Sequence, residues 1–162
     1  MKLLFTSGLL ATVVIGLLTF LQTPPITAPA QDTAITVPFI SLVQGQQSSI
    51  DSRVNYLLTS PDELKELWNI IGATSTPPEV DFETQAVLAV FAGEKPAMKA
   101  MVIKIEDMQD IGKRIVSIFI AKPEESCQSQ IPSRSPYEIV AVAATSLALT
   151  HQDIVETMSC AD

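Results

Sequence analysis

Apolar and polar residues alternate along several segments of the chain, which is the two-residue period of a β-strand with one buried face. Strands are predicted over residues 37–43 and 53–58, on either side of a polar stretch, and this arrangement suits a β-hairpin. Residues 101–106 and 116–120 alternate in the same way around a turn at 110–113, which predicts a second hairpin. Most of the chain is therefore predicted to be β-structure.

One amphipathic helix is predicted after residue 60. Ser60 suits the N-cap, Pro61 the first helical position, and Glu63 follows the cap by three residues. The apolar positions recur at i, i+3, i+4 and i+7 and are Leu64, Leu67, Trp68 and Ile71. Gly72 stands where a left-handed residue commonly ends a helix. The helix is thus expected to pack one face, including Trp68, into the core.

The longest apolar segment of the globular part does not alternate. Residues 85–91 read Gln-Ala-Val-Leu-Ala-Val-Phe, which predicts a strand buried on both faces near the middle of its sheet. Gly93 ends this segment. A polar loop over 122–135, an apolar strand over 136–144 and a weak final strand over 151–158 follow.

These elements amount to about seven strands and one helix. The predicted fold is mainly β (α+β): an antiparallel β-sandwich, or a barrel-like sheet, with one packed helix. The roughly 130 residues after position 30 suffice for a single core and show no second composition block. Residues 31–162 are therefore predicted to form one domain.

The N-terminal segment has the outline of a secretory signal. Lys2 precedes an uncharged apolar run over 3–21, and a small-residue site at Ala28 and Ala30 follows. Residues 1–30 are predicted to be a signal peptide, with the mature chain beginning at Gln31. The run is also close to the roughly 20 residues that span a bilayer, so an uncleaved membrane anchor is the alternative. Either way the domain is expected outside the cytoplasm, periplasmic or extracellular.

The charge balance narrows the class of partner. The chain has 10 Lys and Arg against 18 Asp and Glu, a formal net charge of −8, and its basic residues are scattered. Because phosphate contacts need clustered Lys and Arg, nucleic acid is not an expected partner.

Two cysteines, Cys127 and Cys160, are predicted to form a disulfide, as an isolated pair in an exported chain commonly does. The bridge would close a loop of about 34 residues and tie the C-terminus to the domain. Cys-x-x-Cys spacing, which a redox-active pair would favour, is not present.

Residues that would indicate an enzyme are sparse. His151 is the single histidine, and neither a Gly-x-Ser-x-Gly motif nor a phosphate-binding glycine loop is found. Glu106, Asp107 and Asp110 lack the spacing of a calcium loop and are expected at a solvated hairpin tip. No catalytic residue, cofactor or metal is therefore predicted.

Four segments together resemble a known family. They are "SPDELKELWNIIG", "PPEVDF", "AVLAVFAGEKP" and "SPYEIVAV", and their order resembles that in the C-terminal domain of the protease complex subunit PrcB family. The resemblance covers roughly residues 54–160. It implies a non-enzymatic accessory module that binds another extracytoplasmic protein and assists the assembly or stability of a protease complex.

The chain departs from this family after Lys95-Pro96, where the family typically continues Thr-Gly-Gly-Tyr and this chain has Ala-Met-Lys-Ala. An exposed connection after a rigid strand commonly carries binding. The predicted partner-binding residues are Glu94, Lys95, Pro96, Met98, Lys99 and Tyr137. The alternative function is a protease inhibitor acting through the loops 93–100 and 133–137.

Overall fold

The computed structural model describes residues 34–93, 97–126 and 135–159. They belong to the unit Gln31–Asp162 of the chain. The predicted signal segment 1–30 and both cysteines lie outside the described residues. The strands are β1 (Ala34–Thr36), β2 (Phe39–Gly45), β3 (Val54–Leu58), β4 (Gln85–Phe91), β5 (Lys99–Met108), β6 (Lys113–Pro123), β7 (Tyr137–Ala143) and β8 (Ala148–Met158), and the helix α1 spans Pro61–Ile70.

These strands form two four-stranded sheets packed face to face. Sheet A has the order β1-β5-β6-β8 and sheet B the order β2-β7-β4-β3. Side chains of both sheets meet in one apolar cluster that includes Val90, Val102 and Ile118. The predicted β-sandwich is thus confirmed, and the barrel-like alternative is wrong because neither sheet closes on itself over the described residues. The pairing is antiparallel throughout these sheets except between β6 and β8, which are parallel.

Of the two predicted hairpins, one is confirmed and one is wrong. β5 and β6 pair antiparallel around a 3-10 turn at Gln109–Ile111, with Gly112 in the left-handed conformation. β2 and β3, by contrast, lie at opposite edges of sheet B and pair with β7 and β4. β4 and β7 occupy the centre because most of their side chains, on both faces, are apolar and gain most from burial there.

Sheet B lies between sheet A and the helix, which explains the unbroken apolar sequence of β4. Leu88 and Val90 point toward sheet A, whereas Val87, Ala89 and Phe91 point toward α1. The prediction of a central strand buried on both faces is confirmed.

The helix forms as its sequence predicts. The N–H of Glu63 donates to the Ser60 hydroxyl, Pro61 begins the helix, and Gly72 has a φ of 68° just beyond its end. The face of α1 that packs on sheet B is Leu64, Leu67 and Trp68. The indole N–H of Trp68 donates to the carbonyl of Ser75 at 2.7 Å. Trp68 is therefore a core residue, as expected.

Candidate protein-binding surface

The segments predicted to bind a partner begin and end at the same end of the sandwich. The N–H of Ala92, just after β4, donates to the carbonyl of Pro136, just before β7, at 3.0 Å. The N–H of Met98, just before β5, donates to Ala121 of β6 at 2.8 Å. The described parts of the two predicted loops 93–100 and 133–137 are therefore neighbours, and we call this end of the sandwich the loop end. Both loops are shorter than predicted, because β5 begins at Lys99 and β7 at Tyr137.

Gly93 lies two residues after β4, and its backbone conformation and its surroundings both require glycine. Its φ is 82°, and a Cβ at this position would lie 2.7 Å from the backbone N of Arg53. An L-residue would be strained by the first condition and would clash in the second. At Gly93 the chain therefore leaves the core in close contact with the backbone of the segment before β3.

The predicted contact residues that the structure describes differ in exposure. Lys99 is exposed and Met98 is half-buried, whereas Ala97 beside them is almost fully buried. Glu94, Lys95 and Pro96 lie outside the described residues. Met98 and Lys99 therefore form the described part of the predicted contact surface.

Tyr137, the remaining predicted contact residue, lies in the core. Its side chain is 9% exposed and stacks on Phe91 with ring centroids 5.4 Å apart. Its ring also covers Gly45, where a Cβ would come within 2.1 Å of it. Burial raises the pKa of the Tyr137 hydroxyl above its ordinary value. The ring is therefore a packing element beneath the loop end and does not belong to its exposed surface.

A third segment, between β2 and β3, joins the loop end. The hydroxyl of Ser48 donates to the Ser135 hydroxyl at 3.1 Å, and Ser135 in turn donates to the carbonyl of Ile50. Ser49 donates to the carbonyl of Ile70, at the end of α1. Serine side chains thus hold this connection against the start of β7 and against the helix.

Glu138 is a buried carboxylate that was not predicted as a site residue. It is 2% exposed and accepts hydrogen bonds from Ser41, Gln44 and the backbone N–H of Val102. It lies in β7 on the face turned to sheet A, next to the start of β5. Its position between Tyr137 and an apolar run was the available sequence signal, because alternation places residue 138 on a buried face.

Asp107 and Arg114 form a buried ion pair at the opposite end of β5, next to the turn of the β5–β6 hairpin. The guanidinium binds the carboxylate through two bonds, Nε to Oδ1 at 2.6 Å and Nη2 to Oδ2 at 2.9 Å. The expectation of a solvated position is wrong for Asp107, which is 9% exposed. Asp107 follows the core residue Ile105 by two positions, so it faces the interior, and Arg114 reaches it from β6.

Beside this pair lies a partly open cavity of about 100 Å³, lined by residues of both sheets and of the connections next to them. Its walls are mainly apolar and include Leu57, Leu88, Val116 and Val142. The one guanidinium in its lining, that of Arg114, is already paired with Asp107 and also donates to the carbonyl of Ala143. The cavity therefore presents an apolar lining with its charge neutralised.

His151 is exposed on β8. Within the described ranges, no group of three or more His, Cys, Asp or Glu side chains is placed to hold a metal ion. No helix in the same ranges has the length and apolar character needed to cross a bilayer.

Comparison with known proteins gives no match: neither a family model, nor a curated protein, nor a solved structure is significantly similar to this chain.

Proposed function

We propose that the chain is an exported, non-enzymatic binding module that contacts another extracytoplasmic protein through its loop end. The observation that carries this proposal is that the described ends of three connections meet at one end of the sandwich. Loops held by a rigid scaffold commonly carry binding. The resemblance of four segments to the PrcB family favours a protease or its zymogen as the partner, with this module assisting its assembly or stability.

Met98 and Lys99 have the chemistry of a contact pair. Met98 is half-buried and unbranched, so it offers an adaptable apolar contact. Lys99 is exposed and places a positive charge on an otherwise acidic protein. An acidic or apolar patch on the partner would complement both side chains.

The test is capture from the exported fraction of the source organism with the Met98→Asp/Lys99→Glu variant. The two changes replace an apolar contact by a charge and reverse the second charge, so partner recovery is expected to fall at least about tenfold. The free energy of unfolding is expected to stay within about 0.5 kcal/mol of that of the unchanged protein, as is usual for surface substitutions.

A matched control exists at the other end of β5. Ile111 and Lys113 are both exposed, and Ile111→Asp/Lys113→Glu makes the same chemical changes in the hairpin turn. This control is expected to retain partner capture. Equal capture by both variants would contradict the proposed surface.

The activity of the captured protein separates the two candidate roles. A protease that gains activity or stability when this chain is added supports the accessory role. A protease that loses activity supports the inhibitor role, which the adjacent flanks of loops 93–100 and 133–137 also suit. Recovery of neither a protease nor a zymogen would contradict the PrcB-like role.

A further inference from the structure

β8 is an edge strand of sheet A, and half of its backbone groups point away from the sheet. In a parallel ladder, alternate residues direct both N–H and C=O toward the neighbouring strand. The N–H of Ala148 donates to Gly112 and the C=O of Met158 accepts from Glu124, so the even-numbered residues face β6. The residues that direct their backbone groups outward are Leu149, His151, Asp153, Val155 and Thr157.

This outward row forms a long pairing edge. Among the described residues, β8 is paired with β6 alone. The strand has 11 residues, which corresponds to about 36 Å at the usual rise per residue. From His151 onward its outward residues are exposed. An edge of this length is a template for another strand.

The other three sheet edges carry features that hinder such pairing. β1 has three residues and is soon followed by Pro38, and β3 has five residues. β2 is interrupted by an irregularity in its pairing between Ser41 and Val43. β8 contains neither proline, glycine nor lysine, and its ladder with β6 continues without a shift. β8 is therefore the edge best suited to accept a strand.

A row of apolar side chains on the outer face of sheet A leads to this edge. Phe119 of β6 is paired with Met101 of β5 and with Ile154 of β8. Their strand neighbours, such as Ile118 and Ile120, face sheet B, so alternation turns this row to the opposite face. Each of the three is half-buried, and Ile154 ends the row at the edge.

We propose that two copies of this chain associate by antiparallel pairing of β8 with β8, centred on Ile154. Ile154 then lies opposite Ile154 of the second copy, in a pair whose side chains are closest. The apolar row continues across the two-fold axis into Phe119 and Met101 of the second copy. The two copies of sheet A become one eight-stranded sheet. This proposal goes beyond the proposed function, because it concerns the edge of sheet A and not the loop end.

Charge and the apolar row together favour the register centred on Ile154, because centring on Val155 avoids like charges but would place Ile154 opposite Glu156. Each copy has a net charge of −8, so like charges must not meet at the contact. Centred on Ile154, the pairing places Asp153 opposite Val155 and Glu156 opposite Gln152. Centred on Asp153, it would place two aspartates opposite each other, which is destabilising. Asp153 is also neutralised within its own copy by Arg53 at 2.6 Å.

The test measures the molecular mass of the protein in solution by sedimentation equilibrium. The sample is the protein as it is obtained when the full chain is expressed. A reversible dimer is expected, with a dissociation constant on the order of micromolar because a single strand pair is a small interface. Ile154→Lys places two lysines opposite each other and is expected to weaken the dimer at least about tenfold. Ile103→Lys, the same change at an exposed position of β5 away from the edge, is expected to leave the dimer intact.

Two further variants test the backbone and the register. Val155→Pro removes an N–H that points outward and leaves the bonds to β6, so it is expected to give a folded monomer. Ile154→Cys is expected to form a disulfide between copies, identified by mass spectrometry, whereas Gln152→Cys is not. If the wild-type protein stays monomeric up to about 200 µM, a concentration well above the expected dissociation constant, the proposal is overturned. A dimer that survives both Ile154→Lys and Val155→Pro would overturn it too.

Discussion

The carboxylate of Glu138 in β7 accepts a hydrogen bond from the backbone N–H of Val102 in β5 at 2.5 Å. A side chain of sheet B thus forms a hydrogen bond with a backbone N–H of sheet A. Ser41 and Gln44 each donate to the same carboxylate at 2.7 Å. These donors replace the water that burial removes, which is why a carboxylate is tolerated in the core.

We expect Glu138→Gln to lower the free energy of unfolding by about 1 to 3 kcal/mol. The side-chain NH₂ of glutamine cannot accept a hydrogen bond, so at least one donor that now binds the carboxylate would lose its acceptor. Urea unfolding followed by fluorescence measures the change. Glu79→Gln makes the same substitution at an exposed position and is expected to be neutral. Equal effects of the two substitutions would show that the Glu138 network contributes little.

Removal of Arg114 alone is expected to be more costly than removal of the whole Asp107–Arg114 pair. Arg114→Met leaves the Asp107 carboxylate buried without its partner, which typically costs about 3 to 5 kcal/mol. Asp107→Leu/Arg114→Met removes both charges and is expected to recover a large part of this loss. A double-mutant cycle of unfolding free energies measures the coupling. Additive single effects would contradict the buried pair.

Gly93→Ala is expected to destabilise the domain more than Gly72→Ala. Both glycines have positive φ, which costs a non-glycine residue about 1 to 2 kcal/mol. At Gly72 a new Cβ meets nothing within 4 Å, whereas at Gly93 it meets the backbone of Arg53 at 2.7 Å. Thermal unfolding of the two variants measures the difference. A smaller effect at Gly93 would argue against the close approach of the segment before β3.

The helix cap is expected to make stability depend on pH. The pKa of Glu63 is lowered, mainly because its carboxylate accepts from the backbone N–H of Thr59 at 2.6 Å, although desolvation opposes the shift. A carboxyl with a lowered folded pKa contributes stability above its unfolded pKa and loses it as pH falls through the folded pKa. The stability gap between the protein and Glu63→Gln should therefore narrow on acidification below the ordinary carboxyl pKa of 4.5. A gap that is constant over this range would contradict the prediction.

Cys127 and Cys160 are expected to be bridged in the exported protein. The described residues that flank them are neighbours, because Pro123 pairs with Met158 and Glu124 donates to Met158 at 3.1 Å. Reduction is expected to lower stability by about 3 to 4 kcal/mol without abolishing the fold. Thiol titration of the native protein is the measurement, and two reactive thiols would contradict the bridge.

The sequence determined the elements whose causes are local. Ser60, Pro61 and Glu63 specify the start of α1 within four residues, and the turn before Lys113 brings β5 and β6 together because they are adjacent in the chain. The composition of β4 also determined its central position. Because β4 has apolar side chains on both faces of its sheet, both faces must be covered by other parts of the protein.

The candidate surface was only partly accessible to the same reasoning. The sequence placed Met98 and Lys99 in a connection, but Tyr137 looked exposed beside a loop and lies in the core. Its burial depends on Phe91 and Gly45, which are distant in sequence and become its neighbours only through the pairing of β7 with β4 and β2.

The tertiary structure alone decided which strands are neighbours. A period of two fixes the face on which a side chain lies, but it does not identify the strand at either side. The partners of β2 and β3 are therefore set by how the two-faced apolar strands β4 and β7 are covered, and not by the short connection between β2 and β3. In the same way, Glu138 acquires its donors, and β8 its parallel alignment with β6, from contacts between residues far apart in the chain.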